Sequence, residues 1–248
     1  MRTCAYVTQS SALLCLAPAQ GGACRCAPWP SQRGHCVRMR TRERAPERAG
    51  PYHHGDLHHA LVQATESILA ERGVEGFTLR EAARRAGVTA AAPAHHFGSA
   101  AGLLTEVALL GFAELQRFLA ESGADSAASP AERVQALGLA YVRFALAYPA
   151  RFQLMFREDR LIAGDARLAA AGDAAYAELE RAGRAYFRLA PDAPLDAGTS
   201  AALLGAWSTV HGFAHLALDH RFERFIPDAH DVAALARTLR MILARFFP

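Results

Sequence analysis

Apolar residues recur every three to four positions along the chain from residue 56 onward. This spacing is typical of helices that bury one face, and we predict no strands. The fold class is therefore all-α, with about nine helices separated by breaks rich in Gly, Pro or Ser. They fall near residues 56–72, 79–86, 90–96, 101–122, 130–148, 152–156, 165–189, 195–220 and 228–247.

The second and third of these helices are short and closely joined. Thr78 followed by Glu81 predicts a capping box, in which the hydroxyl accepts a first-turn N–H and the carboxylate reaches back to the cap. Gly87 provides a left-handed exit, and Thr89 is positioned to cap the third helix. Such a pair can lay its second helix in the major groove of DNA, although capped helix pairs also occur in many all-α proteins.

The residues around this pair extend the pattern. They include the run Tyr52-His53-His54-Gly55-Asp56-Leu57 and, from residue 86, the continuation AGVTAAAPAHHFGSAAGLLTEVALLGF. Residues 52–120 closely resemble the first part of TetR/AcrR-family transcriptional regulators. The resemblance implies an N-terminal three-helix helix-turn-helix DNA-binding domain, followed by a larger helical domain for ligand binding and dimerisation.

Composition limits the other classes of protein. The net charge of +3 does not by itself indicate nucleic-acid binding, because a helix-turn-helix needs only a local basic face. All five cysteines lie within the first 36 residues, so we expect neither a disulfide framework nor a cysteine zinc site in the folded part. We expect a cytoplasmic protein with no transmembrane span and no membrane partner.

The chain divides into four predicted segments. Residues 1–50 are predicted to be a disordered or mis-assigned extension followed by a basic arm, and our preferred interpretation is that translation begins at Met39. Residues 51–100 form the helix-turn-helix domain, and 101–123 form a connecting helix. The linker GADSAASP then leads into the ligand-binding and dimerisation domain, 124–248.

By the resemblance, the third helix enters the major groove of double-stranded DNA. Alanine methyl groups there can meet thymine methyl groups, while Thr and Arg side chains contact phosphates. The predicted DNA-binding residues are Arg44, Thr78, Arg80, Arg84, Thr89, Ala90, Ala91, Ala94 and His95. A structural role is an equal alternative for His95, and His96 and Phe97 are expected to pack against neighbouring helices. Many family members have Tyr in place of Ala94 and Lys in place of Ala100, which puts phosphate affinity in question.

Four early histidines, His53, His54, His58 and His59, raise the question of a metal site. No thiolate or clustered carboxylate accompanies them, so a neutral helix face is the simpler interpretation. We therefore predict neither a metal nor a cofactor.

A second resemblance concerns residues 206–213, AWSTVHGF. They resemble the C-terminal signature of TetR-type regulators that is named for Trp, His and Gly, here Trp207, His211 and Gly212. The resemblance implies that this helix borders an inducer cavity, although a Trp-His stripe on an apolar helix more often belongs to a core. The predicted ligand-binding residues are Tyr141, Phe144, Phe152, Met155, Trp207, His211 and His215.

The last two helices are also predicted to form a homodimer. Packing against their symmetry mates would make a four-helix interface, and two recognition helices would then read a near-palindrome. The predicted dimerisation residues are Leu203, Val210, Leu235, Leu239 and Ile242.

Together these observations predict a dimeric, ligand-responsive transcriptional regulator, expected to be a repressor that a small hydrophobic or aromatic effector releases from DNA. One alternative is a helical interaction or ligand-binding module without specific DNA binding. Another is a small-molecule enzyme, although the chain has no Gly-rich phosphate loop, no HExxH and no Gly-x-Ser-x-Gly motif.

Overall fold

Helices are the only regular elements among the residues that the computed structural model describes, 54–122 and 129–248. The predicted all-α class is confirmed for these residues. Two 3-10 turns, Val74–Gly76 and Glu158–Arg160, lie between successive helices. The helices are α1 His54–Arg72, α2 Leu79–Arg85, α3 Ala92–Phe97, α4 Ala100–Ser122, α5 Pro130–Ala147, α6 Pro149–Met155, α7 Ala166–Phe187, α8 Ala197–Leu218 and α9 Val232–Leu243.

Some of the sequence predictions lie outside the described residues. They concern the extension 1–50, with Arg44 and Met39, and most of the linker at 123–128. The described residues all belong to one compact unit. The proposed boundaries at residues 100 and 123 therefore stay predictions.

Side-chain caps set the starts of five of the described helices. Thr78 caps α2 by accepting the N–H of Glu81 at 3.2 Å, as predicted, but the Glu81 carboxylate binds Arg84 and Arg85 instead of reaching back to the cap. The complete capping box is at α5, where Ser129 and Glu132 satisfy each other's backbone N–H groups. The remaining caps are Asp165, Asp196 and Asp231.

The start of α3 differs from the prediction. The helix begins at Ala92 rather than Ala90, and Thr89 does not cap it through its side chain. Pro93 stands in the first turn, where its fixed φ and missing N–H suit a helix start. Thr89 contributes only its carbonyl oxygen, which accepts the N–H of Ala92 at 3.0 Å.

The core is organised around α5, which contacts α4, α6, α7, α8 and α9. Phe144 on this helix and Phe152 on α6 are fully buried, and each such aromatic side chain stabilises the fold by about 1.5–3 kcal/mol. A second contact surface joins α4 to α1, α3 and α6. The helix-turn-helix segment is thus packed directly onto the larger helical body.

The composition of α8 departs from the expectation that no helix could span a membrane. Its 22 residues include no Asp, Glu, Lys or Arg, and by length and composition it is apolar enough to cross a bilayer. Only 28% of its most apolar window is buried within the protomer. Because α8 contacts α5, α7 and α9 on its other side, its uncovered face is a surface of the helical body.

Candidate nucleic-acid interface and ligand cavity

Arg85 holds the helix-turn-helix together. Its guanidinium donates to Ser67 and to both carboxylate oxygens of Glu71 on α1, at 2.9, 2.7 and 2.6 Å. It also donates to Glu81 on its own helix at 3.0 Å. These bonds fix the angle of α2 on α1, and Gly87, with φ 70°, then turns the chain toward α3. Arg85 is therefore a positioning residue of this segment.

The other two arginines of α2 differ in their partners. Arg84 donates to both oxygens of Glu81 at 2.8 and 2.7 Å, although its side chain is exposed. Together with Arg85, it lowers the pKa of Glu81 to about 2. Arg80 is exposed and forms no ion pair with another described residue. Among the predicted phosphate contacts, Arg80 has its charge available and Arg84 shares its charge with Glu81.

The outer face of α3 and the turn before it consists of small and imidazole side chains. The exposed residues there are Thr89, Ala90, Ala91, Ala94, His95 and His96. On the inner face, Pro93 is buried and the Phe97 ring lies 4.8 Å from the ring of His58 on α1. Phe97 thus packs α3 against α1 as expected. The side chain of His96 is exposed and its ring lies 5.7 Å from that of His95, and its expected packing role stays a prediction.

A cavity of about 440 Å³ lies among α4, α5, α7, α8 and α9. Its wall is mostly apolar, and the lining residues with polar side-chain atoms are Tyr141, Asp173, Tyr176 and Trp207. It falls within the range of about 300–1,000 Å³ that is usual for small-molecule sites. The lining residues are Phe112, Leu115, Leu119, Val134, Leu137, Gly138, Tyr141, Phe156, Gly172, Asp173, Ala175, Tyr176, Leu179, Ala206, Trp207, Val210 and Leu243.

One hydrogen-bonded pair of side chains lies at this apolar wall. The Tyr141 hydroxyl lies 2.8 Å from Nδ1 of His211, and the ring of Trp207 lies 6.3 Å from that of His211. Nδ1 of His211 accepts from the Tyr141 hydroxyl when the imidazole proton is on Nε2, and donates to it when the proton is on Nδ1.

Burial keeps both members of the central pair neutral. It raises the pKa of Tyr141, and burial together with the neighbouring His215 lowers the pKa of His211. The cavity therefore presents neutral hydrogen-bonding groups on this wall.

The predicted ligand-binding residues divide into two groups. Tyr141 and Trp207 line the cavity. Phe144, Phe152 and Met155 are buried and do not line it, so their expected ligand contact is corrected to support of the wall. They lie behind it because the helical spacing that brought them to one face is that of the packed core.

His211 and His215 belong to the same supporting layer. The Phe152 ring lies 5.6 Å from the ring of His211 and 5.1 Å from that of His215. His211 acts on the cavity through Tyr141 instead of lining it.

Sequence reasoning missed the walls that α4 and α7 supply. Phe112 and Leu115 come from α4, and Tyr176 and Leu179 come from α7. The signal for α4 was present, since its apolar positions cover more than the single face that a surface helix needs. Most apolar positions of α7 are alanines, so the sequence indicates a cavity wall on this helix less clearly.

Most of the predicted dimerisation side chains are buried within the protomer. Leu203, Val210, Leu235 and Leu239 are buried, so they have no surface to offer a partner, and the prediction is corrected for these four. Leu203 packs directly onto Gly183 of α7, and Val210 lines the cavity. Ile242 is half-buried. The large exposed apolar side chains of the two helices are Leu204, Trp207, Leu216, Val232 and Met241.

Ion pairs connect α6 and the following turn to the helix-turn-helix segment. Arg151 of α6 binds Glu66 of α1. Arg157 and Arg160 both bind Glu75, in the turn after α1, at 2.7 and 2.6 Å. Phe156, directly after α6, lines the cavity and its ring lies 4.6 Å from that of His211. A short run of contacts thus joins the cavity wall to α1.

Comparison with protein families assigns both parts of the chain. Residues 61–107 match the bacterial regulatory proteins of the tetR family, and residues 134–242 match the tetracyclin repressor-like C-terminal domain. The Trp-His-Gly subtype stays a prediction. A comparison with curated proteins found no match.

Solved structures show the same fold. A protein of unknown function from Rhodococcus sp. RHA1 is 33% identical, with a TM-score of 0.63, over 79% of this chain and 100% of the other. The TetR family transcriptional regulator PfmR from Thermus thermophilus is 17% identical, with a TM-score of 0.56, over 75% and 93%. The ketosteroid transcriptional regulator KstR2 of Mycobacterium tuberculosis is 19% identical, with a TM-score of 0.53, over 77% and 92%.

Proposed function

Because the chain belongs to the TetR family of bacterial transcriptional regulators, we propose that it is a dimeric repressor of this kind. It binds a near-palindromic operator, and a small hydrophobic or aromatic ligand releases it. Members of the family are DNA-binding regulators and not enzymes, so the enzyme alternative is set aside. The proposal implies a cytoplasmic protein, since operator DNA is found there.

The observation that carries the proposal is the exposed outer face of α3. Ala91, Ala94 and His95 have no packing role on this face, while Pro93 and Phe97 anchor the opposite side. The methyl groups suit contact with thymine methyl groups, and His95 can hydrogen-bond a base edge or a phosphate. Arg80, on the neighbouring helix, adds a positive charge for the DNA backbone.

The cavity supports a ligand with a neutral, mostly apolar surface. Its wall offers Tyr141 and Trp207 as polar partners, and the altered pKa values of Tyr141 and His211 both favour neutral forms. A buried anionic ligand would find no Lys, Arg or His among the lining residues to offset its desolvation, and Asp173 is the one acidic residue there. Flat hydrophobic or aromatic molecules with one hydrogen-bonding oxygen fit this chemistry best.

The uncovered face of α8 supports the homodimer. Leu204, Ser208, Gly212 and Leu216 are uncharged and lie on this face, and small residues between the two leucines permit close helix approach. A partner's copy of the same helix would cover the exposed apolar area. Met241 on α9 extends the surface.

The first test is DNA binding by the full-length protein. Fluorescence anisotropy would compare the duplex upstream of its own gene with an unrelated duplex, over a salt titration. We expect saturable binding that is much tighter for the upstream duplex and weakens steeply with salt. Equal, weak binding to both duplexes would favour the alternative of a ligand-binding module without specific DNA binding, and Ala94→Tyr would then be tested for gain of affinity.

The ligand half of the proposal has a separate readout. Replacing Trp29 by Phe leaves Trp207 as the one tryptophan of the chain, because the sequence contains only these two. Hydrophobic and aromatic compounds would be screened for a change in Trp207 fluorescence, and the positive compounds for release of DNA. Release without any change at Trp207 would contradict binding in this cavity.

A further inference from the structure

The connection between α8 and α9 brings three metal-ligating side chains together. The ligand atoms of His220, Glu223 and His230 all lie within 4.8 Å of one another. His220 Nδ1 is 4.0 Å from Oε1 of Glu223, and His230 Nε2 is 3.6 Å from the same oxygen. We propose that these three residues form a site for a divalent transition metal of the zinc type.

Local backbone structure creates this arrangement between residues ten positions apart. His220 follows the end of α8 in a left-handed conformation, with φ 55°, and its N–H still bonds the Ala217 carbonyl at 3.1 Å. A second left-handed residue, Asp228, with φ 58°, turns the chain back. The backbone N–H of Asp231 donates to the Asp228 carbonyl at 2.7 Å. The two reversals bring His230 back beside His220, with their ring centroids 5.8 Å apart.

The donor set matches the preferences of zinc. Two imidazole nitrogens and one carboxylate oxygen, with water at the fourth position, form a well-known tetrahedral set. With bonds of about 2.0–2.2 Å, the ligand atoms of such a site lie about 3.4 Å apart. The Glu223 oxygen is already close to that separation from both histidines, and all three side chains are exposed, so small rotations would complete the site.

A simpler interpretation is that Glu223 forms exposed ion pairs with protonated histidines, which contribute little to stability. The two interpretations differ in a measurable way, because only a metal site requires both histidines together. No sequence motif indicated the site, since His220, Glu223 and His230 fit no ligand-spacing pattern.

The metal would join the end of α8 to the start of α9. Both helices contribute to the cavity wall, through Trp207 and Leu243 among others. A metal that binds the folded chain and not the unfolded one stabilises it by mass action, so zinc should raise the melting temperature.

The test is a zinc titration by calorimetry on the full chain, together with thermal unfolding with and without zinc. Thiols of the five N-terminal cysteines would be alkylated with iodoacetamide in every sample, because cysteine also binds zinc. We expect one zinc ion per chain and a higher melting temperature. His230→Ala and Glu223→Gln should each weaken binding at least about tenfold, since even outer-shell partners contribute that much.

The control is His59→Ala, which removes an exposed histidine from α1 and should leave zinc binding and the zinc-induced melting shift unchanged. Zinc binding of His230→Ala equal to that of the wild type would overturn the proposal, as would an equal loss in the control. The measurement needs neither DNA nor effector, so its outcome is independent of the proposed repressor function.

Discussion

At the scale of single residues, Gly138 on α5 is a tightly packed point of the cavity wall. A Cβ atom there would lie 2.6 Å from Cδ1 of Leu243 and 3.0 Å from Cγ1 of Val210. Gly138→Ala should therefore displace both side chains and destabilise the protein by about 1–3 kcal/mol, as overpacking of a core does. Urea unfolding followed by circular dichroism measures the change.

Gly172 on α7 is the matched control for this prediction. It also lines the cavity, but a Cβ atom there would meet only Phe112, at 3.9 Å. Gly172→Ala should be neutral or stabilise the protein by about 0.5–1 kcal/mol, because Ala is the better helix former. Equal effects of the two substitutions would contradict the packing of this wall.

His211 makes stability depend on pH in a defined direction. Its folded-state pKa lies below the ordinary 6.5, so the unfolded chain binds its proton first as the pH falls. The contribution of His211 to the free energy of unfolding is fully present above pH 6.5. It decreases as the pH falls from there toward the folded-state pKa. We expect His211→Gln to flatten the decrease in melting temperature between about pH 7.5 and 5.5.

Removal of another histidine should not have this effect. His59→Gln, on the exposed face of α1, is expected to retain the wild-type pH profile. If His211→Gln retained that profile as well, the lowered pKa of His211 could not be the cause of the acid sensitivity.

At the scale of elements, Arg85 and Arg80 separate two roles within one helix. Arg85 binds three side chains across α1 and α2, whereas Arg80 forms no ion pair with a described residue. Arg85→Gln should lower both the melting temperature and the affinity for DNA. Arg80→Gln should leave the melting temperature unchanged and weaken DNA binding. It should also reduce the slope of log affinity against log salt concentration by about 1. Anisotropy titrations with thermal unfolding of both variants test this, and a shared phenotype would contradict it.

The sequence predicts where a helix begins better than it predicts which elements the faces of that helix contact. Thr78 marked the start of α2 correctly, because a cap is a contact between residues three positions apart. The partner of a helix face is not local in this way. Leu203 and Leu204 are adjacent and chemically identical, yet one is buried against α7 and the other is exposed.

The same limit explains the prediction of the cavity. Tyr141 and Phe144 lie three positions apart on α5, and helical spacing assigned them together. Only the arrangement of five helices decides that Tyr141 lines an empty volume while Phe144 fills the core. Apolar periodicity identifies a buried face, but it does not distinguish a packed neighbour from a cavity.

At the scale of the whole molecule, Glu75 joins the helix-turn-helix to the cavity side. It binds Arg157 and Arg160, which follow α6, and these ion pairs lower its pKa. If ligand binding moves α6, Glu75→Gln should reduce the ligand-induced decrease in DNA affinity. Because coupling between two binding sites is reciprocal, the effect of DNA on ligand affinity should fall by the same factor. Anisotropy with a compound from the Trp207 screen measures both.

An ion pair within one element provides the control for the coupling. Glu178 and Arg181 pair on the surface of α7 alone, so Glu178→Gln should preserve the full ligand response. A ligand response of Glu75→Gln equal to that of the wild type would show that coupling does not pass through this contact.

The proposed homodimer depends on the uncovered face of α8. Leu204 on α8 is 56% exposed in a protomer whose α8 carries no charge over 22 residues. Leu204→Glu would bury a carboxylate opposite its own copy in the proposed symmetric interface, so we expect monomers in light scattering and a marked loss of affinity for a near-palindromic duplex. Leu110→Glu is the control, because Leu110 on α4 is 41% exposed and lies outside this surface. A Leu204→Glu protein that stays dimeric would place the interface elsewhere, and monomers from Leu110→Glu would move it to α4.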